Sequence, residues 1–396
     1  MGAQFWRLWA AGGISSLGDG LVLVGFPLVA VSITHNPLLI ADVAIAGRLP
    51  ALLFSLPAGV LADRVERRRL AMSANAVRAV ALAGFSAVVV AGADSLVVIY
   101  ATIFVLGTGD MVFDTAVQAC VPSLVPPEAL PPANGYLTLA EVSGEQFVGP
   151  AIGGLVYSAA ASAPFIGDAA SFVASAALLH RALPDSTPPG GSRGLLSPVA
   201  EGLRWFLANR LLRLLALVVA SLAFCQAMAL SMLVLYGTRD LHLGHAGYGV
   251  FLAVAAAGNV VGALGAGRAH VRLGTSGCIV GAAGAAAAGY LVMAGTHSVV
   301  LAAAALIIEG VAVAVGNVTT LSLRQRIIPS ALLGRVGSAF RMLIFGLVPV
   351  GALVGGLISS AMGIRAAFVT AGVVQVGVVA LAAPALVRRV HKFEGA

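Results

Sequence analysis

Apolar positions in this chain fall in long runs broken by short polar stretches. Twelve runs stand out, over residues 8–32, 39–61, 72–92, 96–118, 135–158, 163–183, 211–235, 247–269, 276–295, 298–321, 339–360 and 364–387. Each comes close to the roughly 20 apolar residues that carry a helix across a bilayer core. The alternating ten-residue segments of a membrane barrel are not seen. A segment in lipid must satisfy its own backbone hydrogen bonds, so the pattern predicts helices. The first run is too long for a cleaved signal peptide and carries Asp19.

Composition agrees. The chain has 396 residues, 59% hydrophobic and only 10% charged, with a mean hydropathy of +0.99. A soluble domain carries about 25% charged residues to cover itself. The net charge of +7 raises the question of nucleic acid, but Lys392 is the single lysine and the arginines stand between apolar runs. That is the distribution of a topology signal rather than of a phosphate-binding face. The expectation is an all-α membrane protein, with the bilayer as its solvent and no nucleic-acid partner.

The basic residues fall on alternate loops. One side carries Arg7, the cluster Arg64–Arg69, Arg181, Arg193, Arg204, Arg210, Arg213, Arg268, Arg272, Arg324, Arg326, Arg335, Arg388, Arg389 and Lys392; the other carries Arg239 and Arg365. Positive loops stay inside, which predicts cytoplasmic termini. The Ala- and Gly-rich composition points to a high-GC bacterium, and the expected location is the bacterial inner (cytoplasmic) membrane. The longest break, 184–210, is rich in Pro, Gly and Ser and reads as a linker with a short amphipathic helix near 197–209. The two sides of the linker echo each other. "VPPEALPPANG" (125–135) returns as "IPSALLGRVGS" (328–338), and "GPAIGGLVYS" (149–158) as "GALVGGLISS" (351–360), at offsets of 203 and 202 residues. The predicted plan is an N-terminal six-helix bundle over 1–183, a cytoplasmic linker over 184–210 and a C-terminal bundle over 211–396. Two repeated bundles with a linker form a transporter plan, whose substrate site is expected near mid-membrane between the halves.

The densest charge lies in "GVLADRVERRR" (59–69). Gly59, Leu61, Asp63, Arg64, Arg67 and Arg68 match the pattern G-x-L-a-D-R-x-G-R-[RK], and on these residues the chain resembles the major facilitator superfamily. The resemblance covers all twelve runs and implies that superfamily's fold of two pseudo-symmetric six-helix bundles. It also implies that Gly59, Asp63, Arg64, Arg67 and Arg68 form an inner gate, with Asp114 the expected partner of Arg67. Glu66 replaces the usual glycine. "GPAIGG", with Gly149, Pro150, Gly153 and Gly154, is similar to the helix 5 motif of exporters in this superfamily. Glu145 stands where that motif has a further glycine. "AVQACVPSLVPPEALPPANG" and "PFIGDAASF" resemble the macrolide-efflux and enterobactin-exporter branch. The helix 4 arginine of many drug:proton antiporters is missing, and Asp110 and Asp114 occupy that run.

Ionisable residues cost about 2.5–3.5 kcal/mol or more at mid-membrane and so mark pathways. Seven acids lie within the runs: Asp19, Asp110, Asp114, Glu141, Glu145, Asp168 and Glu309. At about 1.5 Å of rise per residue, Asp19, Glu145 and Glu309 fall near the midplane. Arg48 comes to a similar depth and is expected to pair with Asp19. Arg78, Asp110 and Glu141 are expected at a shallower level, with Arg78 and Asp114 in structural ion pairs and Asp168 as a packing hydrogen bonder. Asp110 with Asp114, and Glu141 with Glu145, are i, i+4 pairs. Adjacent carboxylates in a low dielectric resist double ionisation, as a proton carrier requires. The proton-coupling candidates are therefore Asp19, Glu145, Glu141 and Asp110. Asp19, Arg48, Gln226 and Glu309 are candidates for the substrate cavity. Met228 and Met232, near Gln226, read as helix packing.

Nothing points to an enzyme. A P-loop needs a lysine before Ser or Thr, and "GALGAG" (262–267) lies inside a helical run rather than after a strand. Cys120, Cys225 and Cys278 are isolated, and His242 with His245 make a poor metal site. No cofactor or metal is expected. The reading is a monomeric, proton-coupled secondary transporter that exports small hydrophobic or amphiphilic molecules by alternating access. The alternatives are a dedicated exporter of one metabolite, such as a siderophore or self-made antibiotic, and a non-transporting membrane sensor or assembly partner.

Overall fold

The computed structural model describes residues 1–126, 129–182, 203–329 and 332–394. The described chain is helical nearly throughout. The spans are α1 (Ala3–Ile33), α2 (Pro37–Arg64), α3 (Arg67–Val90), α4 (Leu96–Leu124), α5 (130–159), α6 (Ala163–Ala182) and α7 (Arg210–Asp240). The run His245–Gly295 is α8 followed by α9, divided at Gly274, where φ is +67°. That left-handed backbone suits glycine and turns the chain between the two helices. Then come α10 (Val299–Ile327), α11 (Leu333–Met362) and α12 (Ile364–Glu394). Among the described residues nine runs are long and apolar enough to cross a membrane. Dividing the longest at Gly274 and adding α2 and α5 completes the twelve expected spans. Of the expected linker helix, residues 203–208 are helical. Residues 184–202 lie outside the described residues.

Several helices outrun their apolar segments. α1 starts at Ala3 rather than near 8, and α3 at Arg67 rather than near 72. Hydropathy marks where lipid touches a helix, whereas i→i−4 bonding continues into polar residues. The consequence is functional, because Asp19, Arg78, Asp110 and Glu145 all lie close to the middle of their helices.

The internal repeat extends to the caps. The Ser95 hydroxyl accepts from the Val98 N–H at the start of α4, and the Ser298 hydroxyl from the Leu301 N–H at the start of α10. Both members of the pair are offset by 203 residues. α1 packs along α5 and α6, and correspondingly α7 packs along α11 and α12. A Cβ on Gly149 would lie 2.5 Å from the Gly20 Cα, and a Cβ on Gly351 would strike the Phe224 carbonyl. In each half, then, a small residue lets the fifth helix touch the backbone of the first.

The described chain forms two compact units. One is Met1–His35, Asp42–Arg193 and His242–Ala253; the other is Asn36–Ala41, Gly194–Leu241 and Val254–Ala396. In the first unit Phe5, Leu8, Leu70, Phe113 and Leu179 are packed in one core. In the second, Leu212, Leu215, Ile279, Phe340 and Leu386 are packed in another, which also takes in Phe206 of the 203–208 helix.

Candidate functional site

Five carboxylates converge on one cavity inside the first unit. It has a volume of about 410 Å³ and is lined by α1 with Ser15, Ser16 and Asp19, by α4 with Asp110, Asp114 and Gln118, and by α5 with Asn134, Thr138, Glu141 and Glu145. This size falls in the range of small-molecule sites, about 300–1,000 Å³. Trp9 also lines the cavity, and its indole N–H donates to the Tyr136 carbonyl at 2.9 Å, joining α1 to α5. The convergence follows from helical spacing. Asp110 and Asp114 are one turn apart on α4, and Glu141 and Glu145 one turn apart on α5, so each helix offers two acids on one face.

One cation meets this group from behind. Arg78 of α3 is 1% exposed, yet its Nη2 lies 2.6 Å from Asp19 Oδ1 and 3.3 Å from Asp110 Oδ1. Its guanidinium carbon lies 3.8 Å from the centre of the Phe172 ring on α6, and its Nη1 lies 3.5 Å from Asn75 Oδ1. Asn75 in turn donates to Ser175 at 3.0 Å. Cation–π contact and bonded neighbours make an arginine at this depth tolerable.

This arrangement corrects two expectations. The partner of Asp19 is Arg78 rather than Arg48, and Arg78 lies at mid-helix rather than at a shallower level. The early start of α3 brings Arg78 to the depth of Asp19. Arg48 has a comparable depth, but depth does not set the direction in which a side chain leaves its helix. The charge of Arg48 acts on Glu145. The charges that act on Asp114 include those of Asp110, Glu141, Arg78 and Asp19.

The helix 5 motif shapes the same site. Residues Val142–Val148 form a π-helical turn that contains Glu145. The Gly149 N–H donates to the Gly144 carbonyl, five residues back. Pro150 follows at once and has no N–H to continue the regular pattern, a common cause of such a widened turn. Gly153 meets Leu21 of α1, and Gly154 meets His245 and Gly249 at the start of α8, within the same compact unit.

In the second unit Glu309 is buried at 7% exposure. Its Oε1 accepts from Gln226 Nε2 at 2.9 Å and from the Tyr290 hydroxyl at 3.2 Å. The structure thus joins Gln226 to Glu309. Met228 and Met232 are fully buried, as packing residues should be.

Of the inner gate motif, Gly59, Asp63 and Arg64 fall in the last turns of α2, and the side chains of Asp63 and Arg64 lie outside the described residues. Glu66 caps the start of α3 at φ −58°, a backbone that needs no glycine. Its carboxylate forms ion pairs with Arg69 at 2.7 Å and Arg68 at 3.5 Å. Among the described residues no cluster of His, Cys, Asp and Glu is arranged to hold a metal ion.

The described residues form twelve helical spans in a repeated plan, with an acidic cavity at mid-helix depth, the architecture of a multi-pass membrane protein. The chain belongs to the transmembrane secretion effector family of the major facilitator superfamily, whose model matches residues 2–394. It is 30% identical over 219 residues to the multidrug efflux pump Tap of Mycobacterium tuberculosis, a match covering 52% of this chain and 51% of Tap. It is 27% identical over 158 residues to macrolide efflux protein A of Streptococcus pyogenes, covering 39% of this chain and 38% of that protein. These matches span about half, or less, of the relatives' own length. The fold is similar to that of a bacterial homologue of the human lysosomal transporter Spinster, with a TM-score of 0.76 and 15% identity over 97% of this chain and 96% of that one. The family is one of membrane transporters within the major facilitator superfamily.

Proposed function

We propose that this protein exports small amphiphilic molecules, organic cations among them, in exchange for protons. One observation carries the reading: five carboxylates line one cavity, and the buried guanidinium of Arg78 pairs with two of them, Asp19 and Asp110. Crowded carboxylates hold protons that a cation can displace, and a substrate and a proton that compete for one carboxylate are coupled without a long-range signal. The names of Tap and macrolide efflux protein A support the direction of transport and the kind of substrate. Asp19 is the first proton-coupling residue, with Glu145, Glu141 and Asp110 as its neighbours. Gln226 and Glu309 serve a site of their own in the other half. The two repeated bundles act as the moving parts around the linker, and Asp63 with Arg64, Arg67 and Arg68 act as the inner gate.

The test is substrate-induced proton release from purified protein, paired with uphill export from vesicles. Asp19→Asn is expected to abolish both proton release and export against a gradient, while downhill movement of neutral compounds persists. An Asp19→Asn protein that still releases protons and drives uphill export would remove Asp19 from the mechanism and move attention to Glu145 and Glu141.

A further inference from the structure

Outside the cavity lining, on α6, lies a carboxyl group that the proposed exchange does not use. Asp168 of α6 is 0% exposed. Its Oδ1 accepts from the Ser171 hydroxyl at 2.9 Å, while its Oδ2 is buried and has no partner. The Nε of Arg78 is likewise buried and unbonded. A buried polar atom without a partner costs free energy, and its persistence calls for an explanation. Here two such atoms, one on a carboxyl group and one on a guanidinium, occupy one region.

Two contacts fix that region. Phe172, whose ring stacks on the Arg78 guanidinium, is one helical turn after Asp168, so both belong to one face of α6. A Cβ on Gly18 would fall on Asp168 Oδ1, so Asp168 lies against α1 at the residue before Asp19. The charges of Arg78 and Asp19 both act on Asp168. The charged groups around Arg78 are then Asp19 from α1, Asp110 from α4 and Asp168 from α6. Asp114 of α4, with Glu141 and Glu145 of α5, completes the set that faces Asp19 across the cavity.

We infer that Asp168 is a second seat for the Arg78 charge: when Asp19 takes up a proton or a cationic substrate, the guanidinium turns across the Phe172 ring from Asp19 to Asp168. Arg78 remains protonated throughout, and the proton that Asp19 gains or loses passes to or from cavity water. Asp168 touches neither substrate nor proton. It is a positioning residue that lowers the cost of freeing Asp19, because an arginine at 1% exposure has no water to turn to. The inference rests on the proposed reading of the cavity.

The experiment uses the purified full chain and ethidium, a monovalent organic cation, with binding followed by fluorescence anisotropy across pH. Protons compete with ethidium, so wild-type binding is lost below an acid midpoint. Asp168→Asn keeps Arg78 on Asp19. Affinity at alkaline pH then falls about tenfold, and the acid midpoint moves down by about one unit. Ser171→Ala removes the hydrogen bond to Asp168, strengthens its hold on Arg78 and moves the midpoint in the opposite direction. Midpoints equal to wild type in both variants overturn the inference. If Asp168→Asn does not fold, Ser171→Ala decides alone, and an unmoved midpoint there is sufficient to overturn it. A wild-type chain that binds no ethidium, or binds it without pH dependence, overturns the cavity reading and this inference with it. An unmoved midpoint in the variants leaves the cavity reading standing.

Discussion

Asp19 and Arg78 pair at 2.6 Å, but only Asp19 opens onto the cavity, with 26% of its side chain exposed against 1% for Arg78. A pair with one wetted and one dry member can be opened from one side only, by whatever reaches the carboxylate. The closeness of α1 and α5 at this level depends on Gly20. A Cβ there would lie 2.6 Å from the Gly144 carbonyl oxygen and 2.8 Å from the Gly149 Cα. Those are backbone atoms, which cannot rotate away. Gly20→Ala is therefore expected to destabilise the protein by about 1–3 kcal/mol, as overpacking does. Gly265→Ala, with nothing within 4 Å of its Cβ, should stay within about 0.5 kcal/mol of wild type. Thermal unfolding of both variants in detergent compares them directly. The acids themselves were legible in the sequence, because each stands out against apolar neighbours. The partner of Asp19 was not, since pairing depends on where α3 begins and on which way Arg78 leaves it.

In α5 the π-helical turn over Val142–Val148 holds Glu145 beside the cavity. A regular helix advances about 100° per residue, so removing the extra residue of the widened turn would swing Glu145 away from α1 and α4. Pro150→Ala restores a donor where Pro150 has none and favours the regular helix. The expected outcome is normal insertion with proton-coupled export reduced about tenfold or more, because a displacement of about an ångström is enough to cost a reaction that much. Export in vesicles at matched protein level measures this, and export equal to wild type would show that the turn does not position Glu145. "GPAIGG" announced close packing and a bend in the sequence. That the helix widens into a π turn around Glu145, where α1 lies against Gly144, Gly149 and Gly153, is something no local pattern records.

Across the whole molecule, arginines crowd alternate loops, which supports cytoplasmic termini and an outward-facing loop between α7 and α8. Single cysteines at Ser192 and Gly244, in a background free of Cys120, Cys225 and Cys278, test this with an impermeant thiol reagent on intact cells. Labelling is expected at 244 and not at 192, and the reverse would invert the orientation. The sequence by itself determined the solvent, the number and order of the spans, the repeat and the family motifs. Each of these is written in contiguous residues or in an offset near 203, and lipid leaves a helix few alternatives. Tertiary structure alone decided that Asp19, Asp110, Asp114, Glu141 and Glu145 share one cavity, that Arg78 pairs with Asp19, and that Asp168 is buried outside the cavity lining. Hydropathy gives a residue's depth, but the rotation of each helix about its axis is set by side chains and glycines packed against neighbours far away in the chain. A charge finds its partner through that rotation, not through its depth.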